Sequence, residues 1–228
     1  MNLDKKEMVV LLHGLGRSHL QMKVLERFLK RNHYHVLNIN YPSTKQTIKT
    51  LAQHIWQTIQ TQGNHHSTCH LIGYSLGGVI IQAMLQSHPS DHIGKIILLG
   101  APNHGSPIAD KFKNHSWFKS AFGPAGVSLG SRGQLIYPLP KSITQPIGCI
   151  ASSITGCLSI TYPLSSFFIE KPHDGRVTTE SAQLETMSDY LEIQCPHFYM
   201  PFSATIRQPI LYFLKNGTFS KKDPGKCR

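Results

Sequence analysis

Cys69-His70-Leu71-Ile72-Gly73-Tyr74-Ser75-Leu76-Gly77 runs through Gly78 into Val79-Ile80-Ile81-Gln82-Ala83-Met84-Leu85. An apolar, strand-like run gives way, across a serine bracketed by glycines, to an apolar, helix-like run. A serine hydroxyl is a poor nucleophile, so a chain that uses one must aim it and supply a base. A sharp strand-to-helix bend does the aiming: Ser75 sits at the strained apex with Oγ exposed. Gly73 and Gly77 let strand and helix approach where a Cβ would clash. Strand–turn–helix context separates this pattern from the same five letters met by chance.

Periodicity outward from the bend alternates strand and helix. Met8–Leu12 is a continuous apolar run of buried-strand type, and His35–Ile39 is a second strand. Met22, Leu25, Phe28 and Leu29 recur at helical spacing behind Ser18 as N-cap. Ile48, Leu51, Ile55 and Ile59 make the next helical face, with Ser43 or Thr44 as cap. After the elbow helix, which ends at His88-Pro89, Lys95–Leu99 is a buried strand. Ile147–Ile150 and Tyr190–Ile193 follow as strands. Ile206, Ile210, Phe213 and Leu214 mark a last helix capped by Gly217. This order predicts an α/β fold: a mainly parallel sheet with helices on both faces. Regularity fails from about residue 103 to 145, a stretch rich in Gly, Pro and Ser. It carries exposed-looking aromatics Phe112, Trp117, Phe118 and Phe122, so a lid or cap insertion is expected there.

Composition bounds the answer. The 228 residues fit one domain spanning 1–228, with 40% hydrophobic residues, and a mean hydropathy of −0.19 is that of an ordinary globular chain. No apolar leader is visible at Met1–Glu7, which points to a cytoplasmic, or membrane-peripheral, protein. The uncharged stretch between Lys141 and Glu170 is interrupted by polar residues and prolines, which fits a buried strand and loop better than a spanning helix. Cys69, Cys149, Cys157, Cys195 and Cys227 have no zinc spacing; buried free thiols in a reducing compartment are expected, with Cys149–Cys157 pairing the alternative. A net charge of +11 favours anionic partners. The basic residues are scattered and no nucleic-acid-binding motif accompanies them. Solvated surface charge is the first reading, peripheral contact with an anionic membrane the second, and nucleic acid is not expected.

The elbow serine needs a base, an orienting acid and donors for an oxyanion. Working loops in a parallel sheet lie at the carboxyl ends of strands, and the chain order for this elbow is serine, acid, histidine. Among His88, His92, His104, His115, His173 and His197, only His197 follows the last strand and precedes the last helix. Asp174, in His173-Asp174-Gly175-Arg176, is the acid, though Asp-Gly is also a common plain turn; Glu170 is the alternative. His13-Gly14-Leu15-Gly16 follows the first strand, where an oxyanion loop belongs. The Leu15 and Leu76 amides are the expected donors, with Gly14 giving the loop its close approach. His13 itself is expected to be structural.

Together these residues resemble the α/β-hydrolase superfamily, and within it the bacterial lipases and the GPI-inositol-deacylase-like esterases. The resemblance rests on His13-Gly14-Leu15-Gly16-Arg17, Gly73–Gly78, Gly100-Ala101-Pro102-Asn103-His104-Gly105-Ser106, Asp174–Val177, Ser181 and His197. It implies a compact α/β-hydrolase fold with Ser75 as nucleophile, His197 as base, Asp174 as orienter and the insertion after Ser106 as lid. It also implies hydrolysis of carboxylic esters of an acyl or lipid-like small molecule. Acyl transfer, thioester or amide cleavage, and a non-catalytic binding protein are the alternatives. Phe198 and Tyr199 follow His197 where secreted relatives carry a calcium-binding aspartate, so no metal or other cofactor is expected.

Overall fold

The computed structural model describes residues 7–63, 68–131, 134–154, 172–220 and 227. Six strands, β1 (Met8–Leu12), β2 (His35–Ile39), β3 (Cys69–Tyr74), β4 (Ile93–Leu99), β5 (Ile147–Ser153) and β6 (Asp189–Gln194), form one sheet in the order β2-β1-β3-β4-β5-β6. Every pairing is parallel. The chain steps from β1 to β2 on one side, then returns to place β3 on the other. The crevice for a ligand in such a sheet lies at this reversal, beyond the strand ends. Leu12 is level with both Ile39 and Gly73, and Tyr74 with Leu99, so the loops leaving β1, β3 and β4 meet at one edge.

Side-chain alternation divides the core in two. Val9, Leu11, Ile72, Ile97, Ile150 and Ile193 face α1 (Lys23–Arg31) and the C-terminal helix α6 (Ala204–Asn216), packing on Leu25, Leu29, Ile206, Ile210 and Phe213. Met8, Val10, Leu12, Leu71, Ile96 and Leu98 face the other way, onto α2 (Ile48–Gly63) and α3 (Leu76–Ser87). Both faces being covered explains why these strands read as apolar runs rather than as alternating ones. Each such side chain, fully buried, stabilises the fold by about 1.5–3 kcal/mol relative to exposure.

Local starts and stops differ in places from the expected ones. Ser18 precedes a 3-10 turn (His19–Met22), and α1 begins only at Lys23. The cap of α2 is Thr47, whose Oγ1 accepts from Thr50 N at 3.2 Å; Ser43 is unavailable because its hydroxyl accepts from Gly16 N at 2.9 Å. Gly217 ends α6 as expected, in the left-handed conformation (φ 77°) with its N–H on Phe213 O.

The irregular stretch contains two short helices, α4 (Pro107–Phe112) and α5 (Ser116–Ser128), the latter kinked at Gly123. Of the four aromatics Phe112, Trp117, Phe118 and Phe122 only Trp117 is exposed, at 54%; Phe118 is 3% exposed and Phe112 and Phe122 are half-buried. They turn inward because they stack on one another, Phe118 on Phe122 at 4.6 Å and Phe112 on Trp117 at 5.4 Å, and roof an apolar cavity.

The cysteine expectation fails at Cys195. It lies just past β6 and forms a disulfide with Cys227, their Cα atoms 5.2 Å apart. The chain returns to the sheet edge here, where Cys227 N donates to Gln194 O at 3.0 Å. A separation of 32 residues hid that return from any local reading. Cys69 and Cys149 are buried free thiols, each pushed up to about 12 by burial. Cys157, Glu170, the leading Met1–Lys6 and the basic tail other than Cys227 lie outside the described residues. Among the described residues, no helix is long and apolar enough to cross a membrane.

Candidate active site

Ser75 is one of two non-glycine residues with positive φ among the described residues (φ 53°, ψ −121°). Such a conformation costs about 1–3 kcal/mol and persists only where its surroundings hold it. They do: Ser75 N donates to Leu99 O at 2.8 Å, and Gly78 N returns to Ser75 O at 3.0 Å. The flanking glycines are needed on packing grounds. A Cβ on Gly73 would stand 2.5 Å from the Gly77–Gly78 backbone, and one on Gly77 would stand 2.5 Å from Leu12 O. The first turn of α3 thereby sits against the end of β1 at Leu12 and His13.

His197 opens a 3-10 turn (His197–Phe202) after β6, and its Nε2 lies 3.1 Å from Ser75 Oγ. Its Nδ1 lies 2.6 Å from Asp174 Oδ2. With the proton on Nδ1 donated to the carboxylate, Nε2 is free to accept the serine proton. Both His197 and Asp174 are buried, and the acid is fully engaged. Its Oδ1 accepts from the amides of Arg176 (2.9 Å) and Val177 (2.8 Å), and its Oδ2 also lies 3.1 Å from Ser152 Oγ at the end of β5. Two backbone links fix the histidine: His197 N donates to Asp174 O at 3.1 Å, and the Tyr74 hydroxyl donates to His197 O at 2.8 Å. Burial pushes the Tyr74 phenol well above its ordinary range, so it stays a neutral donor. Gly100 (φ 56°) makes room for the imidazole, since a Cβ there would stand 3.3 Å from His197 Cε1.

The loop after β1 lies across from the elbow. Its fold is set by Gly14 N on Gln21 Oε1 (3.0 Å) and Gly16 N on Ser43 Oγ (2.9 Å), leaving Leu15 bordering the cleft beside Ser75. A Cβ on Gly14 would crowd the Tyr74 ring at 3.0 Å. The Leu15 and Leu76 amides have no acceptor among the described residues. Leu76 N is also one of the unpaired amides at the positive end of α3. His13 stacks on Tyr41 at 4.0 Å, its Nδ1 directed to Gly14 O and its Nε2 to Tyr41 N, and burial lowers its pKa. It is a buttress of the loop.

Beside Ser75 opens an apolar cavity of about 390 Å³ beneath α4 and α5, walled by Ile108, Phe112, Phe118, Phe122 and Val177. The segment that leads into the lid is tied down by Asn103, which accepts from Gln82 Nε2 (2.7 Å) and donates to Ala182 O (2.9 Å), and by Ser181 Oγ on Gly105 O (2.8 Å). The other histidines are elsewhere: His88 stacks on Trp56, and His173 Nδ1 accepts from Gly175 N. Reading the sequence missed Ser152, Tyr74 and Asn103 as supports. Only a knowledge of which strand end faces the acid could have pointed to Ser152.

Residues 8–129, which hold the oxyanion loop, the elbow and the lid helices, match the family model described as palmitoyl protein thioesterase. The chain belongs to the palmitoyl protein thioesterase family. Members are hydrolases of the esterase, lipase and thioesterase type, and the α/β-hydrolase fold seen here is theirs. Among solved structures the chain is similar to the mature lipase BlEst2 of Bacillus licheniformis, at 21% identity and a TM-score of 0.70, over 95% of this chain and 94% of that one. It is similar also to the metagenomic carboxyl esterase MGS0156 (16% identity, TM-score 0.69, 85% and 65% covered). A third is the monoacylglycerol lipase of Paleococcus ferrophilus (14%, 0.62, 92% and 94%). At these identities the likeness is one of fold. No curated protein matches the chain in sequence.

Proposed function

We propose that the chain is a serine hydrolase that cleaves carboxylic esters of long-chain acyl groups through an acyl-enzyme. One observation carries the reading: the hydrogen-bonded run Ser75 Oγ, His197 and Asp174, ending at the mouth of an apolar cavity. His197 Nε2 takes the Oγ proton as Oγ attacks the ester carbonyl. The charge that appears on the carbonyl oxygen is met by the Leu15 and Leu76 amides, which have no acceptor among the described residues. His197 then gives its proton to the departing alcohol. A water, deprotonated by the same nitrogen, releases the acyl group and restores Ser75. Asp174 keeps the imidazole in the tautomer and orientation that this requires.

Two lines support an acyl or lipid-like substrate: the aromatic roof over the cavity, and the two lipases and the carboxyl esterase among the structural neighbours. A thioester is the second reading, favoured by the palmitoyl protein thioesterase model; it uses the same acyl-enzyme with a thiol as leaving group. A purely binding role would need neither the proton relay nor the strained serine. The Cys195–Cys227 disulfide supports an oxidising compartment for the working enzyme in place of the cytoplasm.

The test is turnover of p-nitrophenyl esters of increasing chain length beside matched thioesters, with Ser75→Ala as control. Hydrolysis that rises with chain length and vanishes in the variant is expected. Turnover retained by Ser75→Ala contradicts the assignment.

A further inference from the structure

Two arginines from different loops border the cleft of the nucleophile. Arg17 directly follows the oxyanion loop, and Arg176 directly follows the acid's Asp-Gly turn. Both are exposed, and both border one small cleft together with Ser75, His197, Leu15 and Gln21. Neither guanidinium has an ion pair or hydrogen bond among the described residues. Their backbones are nonetheless fixed, through Gly16 N on Ser43 Oγ and through Arg176 N on Asp174 Oδ1. Asp174 hangs from the same turn, but its two oxygens are engaged by His197, Ser152 and two amides, and it forms no ion pair with either arginine.

The apolar cavity and this cleft share Ser75, Leu15, Arg176 and His197 and otherwise have different walls. An ester whose carbonyl sits at Ser75 and whose acyl chain fills the cavity under the lid therefore directs its alcohol portion into the arginine cleft. Guanidinium groups are flat forks of donors that match the oxygens of a phosphate, and two of them unpaired at a cleft wall make a local positive field.

Resting on the serine-hydrolase reading, we infer that the alcohol portion of the substrate carries a phosphate a few bonds from the ester oxygen, held between Arg17 and Arg176. The substrate class is an acylated glycerophosphate. Because both arginines border the cleft of the nucleophile itself, the anion must be close to the ester. A coenzyme A thioester, whose phosphates lie at the far end of a long arm, does not fit this spacing. Beyond Arg17, Gln21 and Phe198 a second groove of about 410 Å³ runs out past Leu20 and Phe202, giving the rest of a head group a way out.

The experiment compares kcat/KM for 1-lauroyl lysophosphatidate and 1-lauroylglycerol, which differ only in the phosphate, dispersed in one neutral detergent. The phosphate-bearing ester is expected to be preferred by about tenfold or more at low salt, with the preference shrinking in about 0.5 M salt. Arg17→Gln and Arg176→Gln should each lower that ratio several-fold, and the double variant should bring it to about one. Taking the ratio removes any general loss of activity. A wild-type ratio of one or less overturns the inference, as does a ratio that survives in the double variant. Turnover of both esters and of p-nitrophenyl laurate with a flat ratio sinks this inference alone; turnover of none sinks the hydrolase reading with it.

Discussion

His197 Nε2 lies 3.1 Å from Ser75 Oγ across 122 residues of sequence, and the two come from the ends of strands separated in the sheet by β4 and β5. The contact is a product of the parallel topology, which delivers every strand's carboxyl end to one edge. Ser75→Ala and His197→Ala should each lower kcat for a p-nitrophenyl ester by about 10⁴–10⁶-fold. Their circular dichroism and melting should stay close to wild type, and the double variant should be little worse than either single one. Independent, multiplying effects would mean that the two do not act as a unit.

Asp174→Asn keeps the shape of the acid but offers an amide to His197 Nδ1, favouring the tautomer with the proton on Nε2. A loss of about 10³–10⁴ in kcat is expected, with substrate affinity little changed. Ser152→Ala removes only one of the hydrogen bonds on Asp174 Oδ2, so a loss of about tenfold or less should follow. Steady-state kinetics of the two variants side by side would check this order. An Asp174→Asn enzyme as active as Ser152→Ala would remove the acid from the relay.

The lid makes a separate prediction. Ile108→Trp, at a half-buried cavity wall, should shift the preferred p-nitrophenyl ester toward shorter chains while sparing the acetate ester. Gly123→Ala is more severe. Gly123 has φ 62°, and a Cβ there would stand 1.6 Å from Thr44 O, so α5 cannot keep its seat against the loop after β2. Long-chain activity should fall more steeply than acetate activity in that variant. Equal losses on both would show that the cavity does not hold the acyl chain.

How far the sequence carried this reading depended on the range of the forces involved. The β3–elbow–α3 unit was legible because its signal is local: apolar runs on each side of two glycines that steric contact demands. β1, β3, β4 and β5 were legible because burial makes them near-continuous apolar runs, whereas the partly exposed edge strands β2 and β6 show as short apolar runs interrupted by Asn38 and Glu192. His197 was found by its rank in the chain order, since topology assigns it a strand end. What failed was non-local or used a competing partner. The cap of α2 was misread because the Ser43 hydroxyl serves Gly16 across the sheet. Phe118 looked exposed because the cavity it roofs appears only in three dimensions, although its partner Phe122 lies one helical turn away. Ser152 reaches Asp174 from β5 across 22 residues of sequence, a distance at which spacing says nothing.

The Cys195–Cys227 bond closes a long loop that begins two residues before His197 and contains it. A loop of that length is stabilised by roughly 3–4 kcal/mol on chain-entropy grounds. Reduction, or Cys227→Ser, should lower Tm by roughly 5–15 °C in a chain of this size. Scanning calorimetry with and without dithiothreitol tests it. An unchanged Tm would mean that the two cysteines are not joined.

Glu26 offers a pH signature away from the site. Burial alone would raise its pKa, but hydrogen bonds from Asn38 (2.8 Å), Lys30 (2.7 Å) and Lys23 (3.1 Å) outweigh it and hold the carboxyl at about 2. A folded pKa below the unfolded one means that the proton binds the unfolded chain more tightly. The stabilisation is complete above about pH 5 and is lost as pH falls through the ordinary carboxylate range toward 2. Urea denaturation should show Glu26→Gln less stable than wild type at pH 7, with the difference narrowing steadily between pH 5 and pH 2. A difference that does not change with pH would contradict the charged network.

The most direct measurement is mass spectrometry of the enzyme after reaction with a long-chain fluorophosphonate, which is attacked only by an activated serine. The account predicts a single covalent adduct on the peptide containing Ser75. Labelling should be abolished in Ser75→Ala and strongly slowed in His197→Ala. An enzyme that hydrolyses esters yet leaves Ser75 unlabelled, or that carries the adduct on another residue, would contradict it.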